Sequence, residues 1–379
     1  MPDSHAVLSA SSSKMWIACP PSAQLNAAAD DKTSEYAKQG TVAHLWAETK
    51  VKRILGQHLK DPTDDGAEYY DAEMAECTDS YAQYVFEQIE KAKQQCKDPI
   101  VLVEQRVDFS KWVPGGFGTA DIIIVSDDVL SIIDLKYGSG IPVYAENNSQ
   151  MMCYALGALE LFDGIYDISR ISMTIYQPRR ENISVYEVTK NELLTWADEK
   201  LAPAALLASN GEGEFKAGEH CRFCKVKATC RKRAEYNLEL AQYDFKMPDT
   251  LEDGEIEVIL SKVDDLVSWA SDIKEYALQQ AVNGKQWNDW KLVEGRSVRK
   301  YTDDTLVAST VQNAGFDPYE HKILGITAMT KLLGKNKFED LLSGLIEKPK
   351  GKPTLVPMSD KRPALNKAAD AAEDFKEEK

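Results

Sequence analysis

The sequence predicts an α/β fold, with helices before, between and after short apolar strands and a mainly helical C-terminal region. Three observations carry that expectation. Residues 37–55 and 68–96 show the 3.6-residue apolar period of amphipathic helices. Residues 100–137 fall into three runs rich in Val and Ile, cut by "PGG" and "SDD". A helical stretch, 146–162, then leads to a second strand pair.

Each element follows from its residues. Residues 12–29 read as a first helix, capped by Ser12 or Ser13 and carrying Trp16, Cys19 and Leu25. In the helix 37–55, His44 and Glu48 are four apart and share a face. A polar loop with Gly, Pro and Asp spans 56–67. "IVLVEQRVDF" (100–109) alternates as a half-buried strand, and 118–125 with 129–137 makes a hairpin. Residues 170–180 and 183–188 pair next, and 190–209 is helical. "DFKMPDT" (244–250) reads as a domain boundary after a domain at 1–243. A helix of about 30 residues, 252–282, ends at Asn283-Gly284. An accessory region runs to 357, and a charged tail, 358–379, has the composition of a disordered segment.

With 379 residues the chain is long enough for about two domains. No run of about 18 apolar residues occurs, so no membrane span is expected. The N-terminus lacks a basic and an apolar signal region. A cytoplasmic chain is therefore expected, and its cysteines need a reading other than disulfides. The net charge of −16 argues against wholesale phosphate binding, yet basic clusters stand at 176–180, 221–233 and 294–301. There is no G-x-x-x-x-G-K-[ST] loop, G-x-S-x-G or H-E-x-x-H, which removes an ATP-driven motor, a serine hydrolase and a zincin.

The chemistry gathers in "SIIDLKYGSG" (131–140). Asp134 and Lys136 lie two apart at the end of an apolar strand and share a face. Hairpin arithmetic sets Asp121 opposite Ile133 or Asp134, with Cβ atoms about 5 Å apart across the strands. Two carboxylates that close repel unless a proton or a metal lies between them. Hard oxygen ligands suit Mg²⁺ or Mn²⁺. An isolated Asp-x-Lys is more often a surface ion pair; here it stands in a longer pattern.

That pattern is Gly40–His44 on a helix, then Gly118–Asp121, Asp134–Lys136 and Gln150–Tyr154. It resembles the PD-(D/E)XK nuclease superfamily, RecB-like exonuclease branch, over roughly residues 10–235. Ala120 stands where the superfamily name has Pro. The resemblance implies a restriction-endonuclease-like core, a mixed central β-sheet flanked by helices. It also implies a divalent metal on His44, Asp121, Asp134 and the Leu135 carbonyl. Lys136 would orient the attacking water, Gln150 and Tyr154 would support the metal shell or contact DNA, and Glu104 is a weaker outer-shell candidate. The expected activity is metal-dependent DNA cleavage in recombination or processing, in a phage-encoded protein. A separate recombinase, single-strand-binding protein or helicase would be its partner. A DNA-binding scaffold on the same fold is the alternative.

"CRFCKVKATC" places Cys221, Cys224 and Cys230 together, one thiolate short of a closed site. Cys19, in "MWIACPPS", is the natural fourth. By donor chemistry alone, tetrahedral Zn²⁺ and an iron–sulfur cluster suit four thiolates equally. The same pairing of an N-terminal Cys-Pro with a C-terminal cysteine triplet occurs in AddB-like nucleases, which implies a structural [4Fe–4S] cluster here. Cys77, Cys96 and Cys153 lack ligand spacing and read as packing residues. In the C-terminal third, Arg296, Arg299 and Lys300 beside aromatics could follow a DNA strand.

Overall fold

The computed structural model describes residues 6–30, 35–62, 67–162, 164–240, 251–293, 302–319 and 323–346. Helices α1 (Ser13–Ala18), α2 (Ser22–Ala28), α3 (Glu35–Ile54) and α4 (Ala72–Gln95) precede the sheet. Strands β1 (Ile100–Asp108), β2 (Phe117–Ser126) and β3 (Val129–Leu135) follow as a meander. Helix α5 (Ser149–Phe162) crosses to β4 (Arg170–Gln177), which pairs with β5 (Asn182–Thr189). The sheet order is β1-β2-β3-β4-β5; β3 and β4 are parallel and the other neighbours antiparallel. The expected α/β architecture, a mixed sheet flanked by helices, is present.

The sheet is apolar on both faces because each is covered. Ile123, Val125, Leu130 and Ile132 pack in one cluster with Met151, Ala155 and Leu159 of α5. Ile122, Ile124, Ile133 and Leu135 pack in the other with Val51 of α3 and Tyr81, Val85 and Ile89 of α4. Strands covered on both sides read as continuous apolar runs, as "DIIIV" does. The β2–β3 turn is a two-residue loop in which Asp127 takes φ 48°, the left-handed conformation that tight hairpins require. Asp71 caps α4, its carboxylate accepting the Met74 N–H at 2.8 Å.

Two expected helices are each broken. Residues 12–29 form α1 and α2 rather than one helix, because Pro20 and Pro21 cannot continue the ladder and Cys19 is turned out to φ −138°, ψ 80°. The helix expected at 252–282 is α9 (Asp253–Leu260) and α10 (Val263–Val282). At the break the Ser261 hydroxyl donates to the Val258 carbonyl at 2.7 Å, a local bond that competes with the helix.

After β5, a helical stretch runs from Lys190 to Asn210: α6 (Lys190–Trp196), a π-helical turn (Ala197–Leu201) and α7 (Ala202–Asn210). Cys221 lies in a 3₁₀ turn (Glu219–Phe223), Cys224 follows that turn, and Cys230 precedes α8 (Arg231–Leu238). The chain divides into two compact units, Met1–Gln279 and Gln280–Lys379. The second contains α11 (Asp304–Asn313), α12 (Ile326–Leu333) and α13 (Lys335–Leu342), a helical C-terminal region. The expected boundary at 244–250, the basic residues Arg296, Arg299 and Lys300, and the tail 358–379 lie outside the described residues. Among the described residues, no helix is long and apolar enough to cross a membrane.

Candidate metal centre and cysteine pocket

The site forms where two strands depart together from regular alternation. Val103 pairs with Ile122 and Gln105 with Ala120, so Glu104 stands opposite Asp121. Strict alternation would put Ala120 on the face of Ile122 and Ile124, yet it packs in the α5-side cluster. On β1, Val103 packs on the α3/α4 side and Val107 on the α5 side, although both are odd-numbered. The slip falls at Glu104, whose φ is 52°. A non-glycine residue there costs on the order of 1 kcal/mol or more, a strain typical of functional sites.

The result is a group of three side chains able to ligate a metal. His44, Glu104 and Asp121 bring one ligand atom each within 4.8 Å of one another. His44 comes from α3, whose apolar face packs on the sheet, and its Nδ1 is 3.3 Å from Asp121 Oδ1. The triad lines an open pocket of about 180 Å³, its mouth included, together with Glu48 and Tyr81. The Tyr81 hydroxyl is buried and has no hydrogen-bond partner. A histidine, two carboxylates and an unsatisfied hydroxyl around one pocket fit a hard divalent cation with its water.

Without a metal, protons hold this donor set together, and a bound cation would displace them. Burial opposes charge on His44, but the Asp121 carboxylate prevails and raises its pKa to about 9. Burial likewise opposes ionisation of Asp121, and His44 with the Leu135 N–H holds it below the usual range. Burial, then Asp121, pushes Glu104 up to about 7. Asp134 is raised, chiefly by burial, against the pull of Lys136.

The β2–β3 ladder ends at Ile122↔Ile133, and beyond it the Leu135 N–H donates to Asp121 Oδ2 at 2.7 Å. Leu135 otherwise sits in the core. Asp134, 2% exposed, pairs with Lys136, whose Nζ lies 2.8 Å from Oδ2. Lys136 Nζ also donates to Gln150 Oε1 at 3.0 Å, and Gln150 Nε2 donates to the Tyr154 hydroxyl at 3.0 Å. Gly118 is required by this packing: a Cβ there would meet the Tyr154 ring at 2.7 Å. Gly118, Asp121, Asp134, Lys136, Gln150 and Tyr154 thus meet in one place.

The cysteines form a second locus. Cys19, Cys221, Cys224 and Cys230 line one pocket of roughly 350 Å³, its open mouth included. Cys19 ends α1 and is brought there by the Pro20-Pro21 turn. Two sulfurs already accept N–H donors: Cys19 Sγ from Lys216 N at 3.5 Å, and Cys224 Sγ from Asn26 Nδ2 at 3.4 Å. Asn26 also accepts the Lys225 N–H at 2.7 Å, tying α2 to the cysteine loop. Among the described residues, the four sulfurs do not gather as the metal triad does, three within 4.8 Å of one another.

Sequence reasoning named His44, Asp121, Asp134, Lys136, Gln150, Tyr154 and the four cysteines, and the structure gathers them into these two loci. It named Glu104 only as an outer-shell candidate, whereas the structure sets Glu104 beside His44 and Asp121, and it did not name Tyr81. A glutamate directly after the apolar run "VLV" (101–103) was the available signal for Glu104; Tyr81 offered none.

The family described as "Protein of unknown function (DUF2800)" matches residues 5–363, and the chain belongs to it. A solved structure described as "Crystal structure of SSO0001" is similar at 15% identity, over 51% of this chain and 98% of its own, with a TM-score of 0.22.

Proposed function

We propose that this member of the DUF2800 family is a divalent-metal-dependent DNA nuclease of PD-(D/E)XK type, RecB-like branch. The observation that supports it best is the His44–Glu104–Asp121 triad beside the Asp134–Lys136–Gln150 network. His44, Glu104 and Asp121 would hold Mg²⁺ or Mn²⁺, with Asp134 beside them. The bound ion supplies Lewis acidity at a phosphate oxygen and a water of lowered pKa.

The protein's own groups do the rest. Lys136 Nζ, fixed between Asp134 Oδ2 and Gln150 Oε1, is oriented to hold the attacking water and meet charge building on the phosphate. Gln150 and Tyr154 hold that ammonium and the Asp134 carboxylate in line.

The four cysteines would hold a [4Fe–4S] cluster, closing the N-terminal helices onto the end of the nuclease domain. Donor chemistry alone suits one Zn²⁺ equally well; the likeness to AddB-like nucleases favours the cluster. N–H donors on Cys19 and Cys224 suit thiolate ligands.

The test is a nuclease assay on anaerobically purified protein. Linear single- and double-stranded DNA is offered with Mg²⁺, Mn²⁺ or EDTA, with Asp134→Ala beside the wild type. Metal-dependent cleavage that vanishes in the variant is expected. DNA binding without cleavage would point instead to a DNA-binding scaffold on this fold.

A further inference from the structure

Lys136 and Gln150 meet across a connection, 137–148, that contains no helix or strand. Such a segment must find partners for its backbone groups. In this loop one buried side chain serves three of them, and Arg180 Nη1 serves the Ser139 and Gly140 carbonyls. Gln177, 1% exposed at the end of β4, donates from Nε2 to the Gly138 carbonyl at 2.7 Å and the Ile141 carbonyl at 2.9 Å. Its Oε1 accepts the Val143 N–H at 3.1 Å and Asn182 Nδ2 at 3.3 Å. Both donors and both acceptor positions of the carboxamide are used.

The neighbours reinforce it. Asn182 Nδ2 also donates to the Val143 carbonyl at 2.8 Å, and the Ala145 N–H donates to Ser184 Oγ at 2.9 Å. Gln177 follows Tyr176, whose carbonyl accepts the Lys136 N–H at 2.9 Å. The end of β4 and the start of β5 therefore fix the backbone of Lys136 and the loop that leads to Gln150.

We infer that Gln177 is a positioning residue, whose buried carboxamide sets the Lys136–Gln150 contact by clamping the chain between them. This rests on the nuclease reading for its catalytic consequence, but not for its geometry. The clamp is costly to lose. Leucine has a similar volume and leaves Val143 N–H and two carbonyls unpaired, so the loop relaxes toward water. The ammonium then keeps Asp134 and loses its fixed angle to Gln150. Angular slack at a charge-stabilising group lowers turnover more than it lowers binding.

A purely structural role would behave otherwise, since it would cost the same whether or not Lys136 were present. The experiment is therefore a double-mutant cycle of Gln177→Leu and Lys136→Ala, with kcat and KM measured on linear DNA in Mn²⁺. Gln177→Leu alone is expected to lower kcat about tenfold to a hundredfold with KM within about threefold. In the Lys136→Ala background it is expected to cost less than about threefold more. Equal losses in both backgrounds would overturn the assignment. Should Gln177→Leu fail to fold, Asn182→Ala, which removes one arm of the same clamp, takes its place in the cycle.

A second readout is independent of cleavage. With glutamine ¹⁵N-labelled, the Gln150 side-chain amide reports its contacts to Tyr154 and Asp134. Its resonance is expected to shift or broaden in the Gln177→Leu protein, and an unmoved resonance sinks the assignment. If the wild type does not cut DNA, the nuclease reading fails and this resonance alone decides the clamp.

Discussion

Glu104, Asp121 and Asp134 stand in a row across β1, β2 and β3, and they do different work. Asp121 has its charge held by His44 and the Leu135 N–H, while Asp134 is neutralised by Lys136. Glu104 shares the nearby His44 with Asp121, is pushed up to about 7 by burial and then by Asp121, and sits in a strained backbone, so a bound divalent cation would add to its compensation. Glu104→Gln is therefore expected to weaken Mn²⁺ binding about tenfold or more, read by titration calorimetry. Unchanged affinity would remove Glu104 from the ligand set. On the proposed nuclease reading, Lys136→Ala is expected to lower kcat by about 10²–10³ while DNA affinity in Ca²⁺ is kept. Gly118 makes a steric prediction: Gly118→Ala drives a Cβ into the Tyr154 ring and should cost about 1–3 kcal/mol in thermal or urea unfolding. Gly138→Ala, with nothing near its Cβ, is the control and should change stability by less than about 0.5 kcal/mol.

At the scale of elements, the strands were legible because a doubly covered sheet writes itself as apolar runs, and β1 to β5 fall within a few residues of expectation. The helix breaks were less so. Pro20-Pro21 was in plain view, but the apolar pattern runs straight across it. The Ser261 break depends on a side-chain bond that period alone does not encode. The slip at Glu104 and Asp121 was illegible for a different reason: pairing arithmetic assumes strict alternation, and the register on both sides of the slip is the same. The Pro20-Pro21 break also has a function, since it turns Cys19 toward Cys221, Cys224 and Cys230. If these cysteines hold the proposed cluster, Cys19→Ala should lose the brown absorbance of anaerobically purified protein. Asn26→Ala should retain the cluster but lose it faster in air, as Cys224 loses an N–H donor and α2 its tie to Lys225. Equal bleaching rates for wild type and Asn26→Ala would remove Asn26 from that role.

For the whole molecule, the question is where the first unit ends. Composition marks 244–250, but the buried charges point further on. Arg233, 5% exposed in α8 just after Cys230, pairs through Nη1 with Asp272 Oδ2 at 2.6 Å. Lys227 Nζ reaches Asp272 Oδ1 at 2.8 Å. Asp272 lies in α10, beyond the composition break, and within the unit that ends at Gln279. A chain cut at 243 strands the Arg233 charge, and losing one partner of a buried pair typically costs about 3 kcal/mol or more. The 1–243 fragment should therefore unfold well below a fragment carried to 284, compared by thermal melts. The same contact has a pH signature. Burial opposes the Asp272 charge, yet Lys227 and Arg233 overcome it and hold its pKa below the usual value. The folded state thus binds the proton more weakly than the unfolded chain does. Its contribution is fully present above the unfolded Asp value of about 3.9 and is lost as pH falls through the lower folded value. The melting temperatures of wild type and Asp272→Asn should then differ by a constant amount from pH 7 to about pH 5, and converge as the pH drops below about 4. A difference that persists unchanged to pH 3 would mean that Asp272 acts by shape rather than by charge.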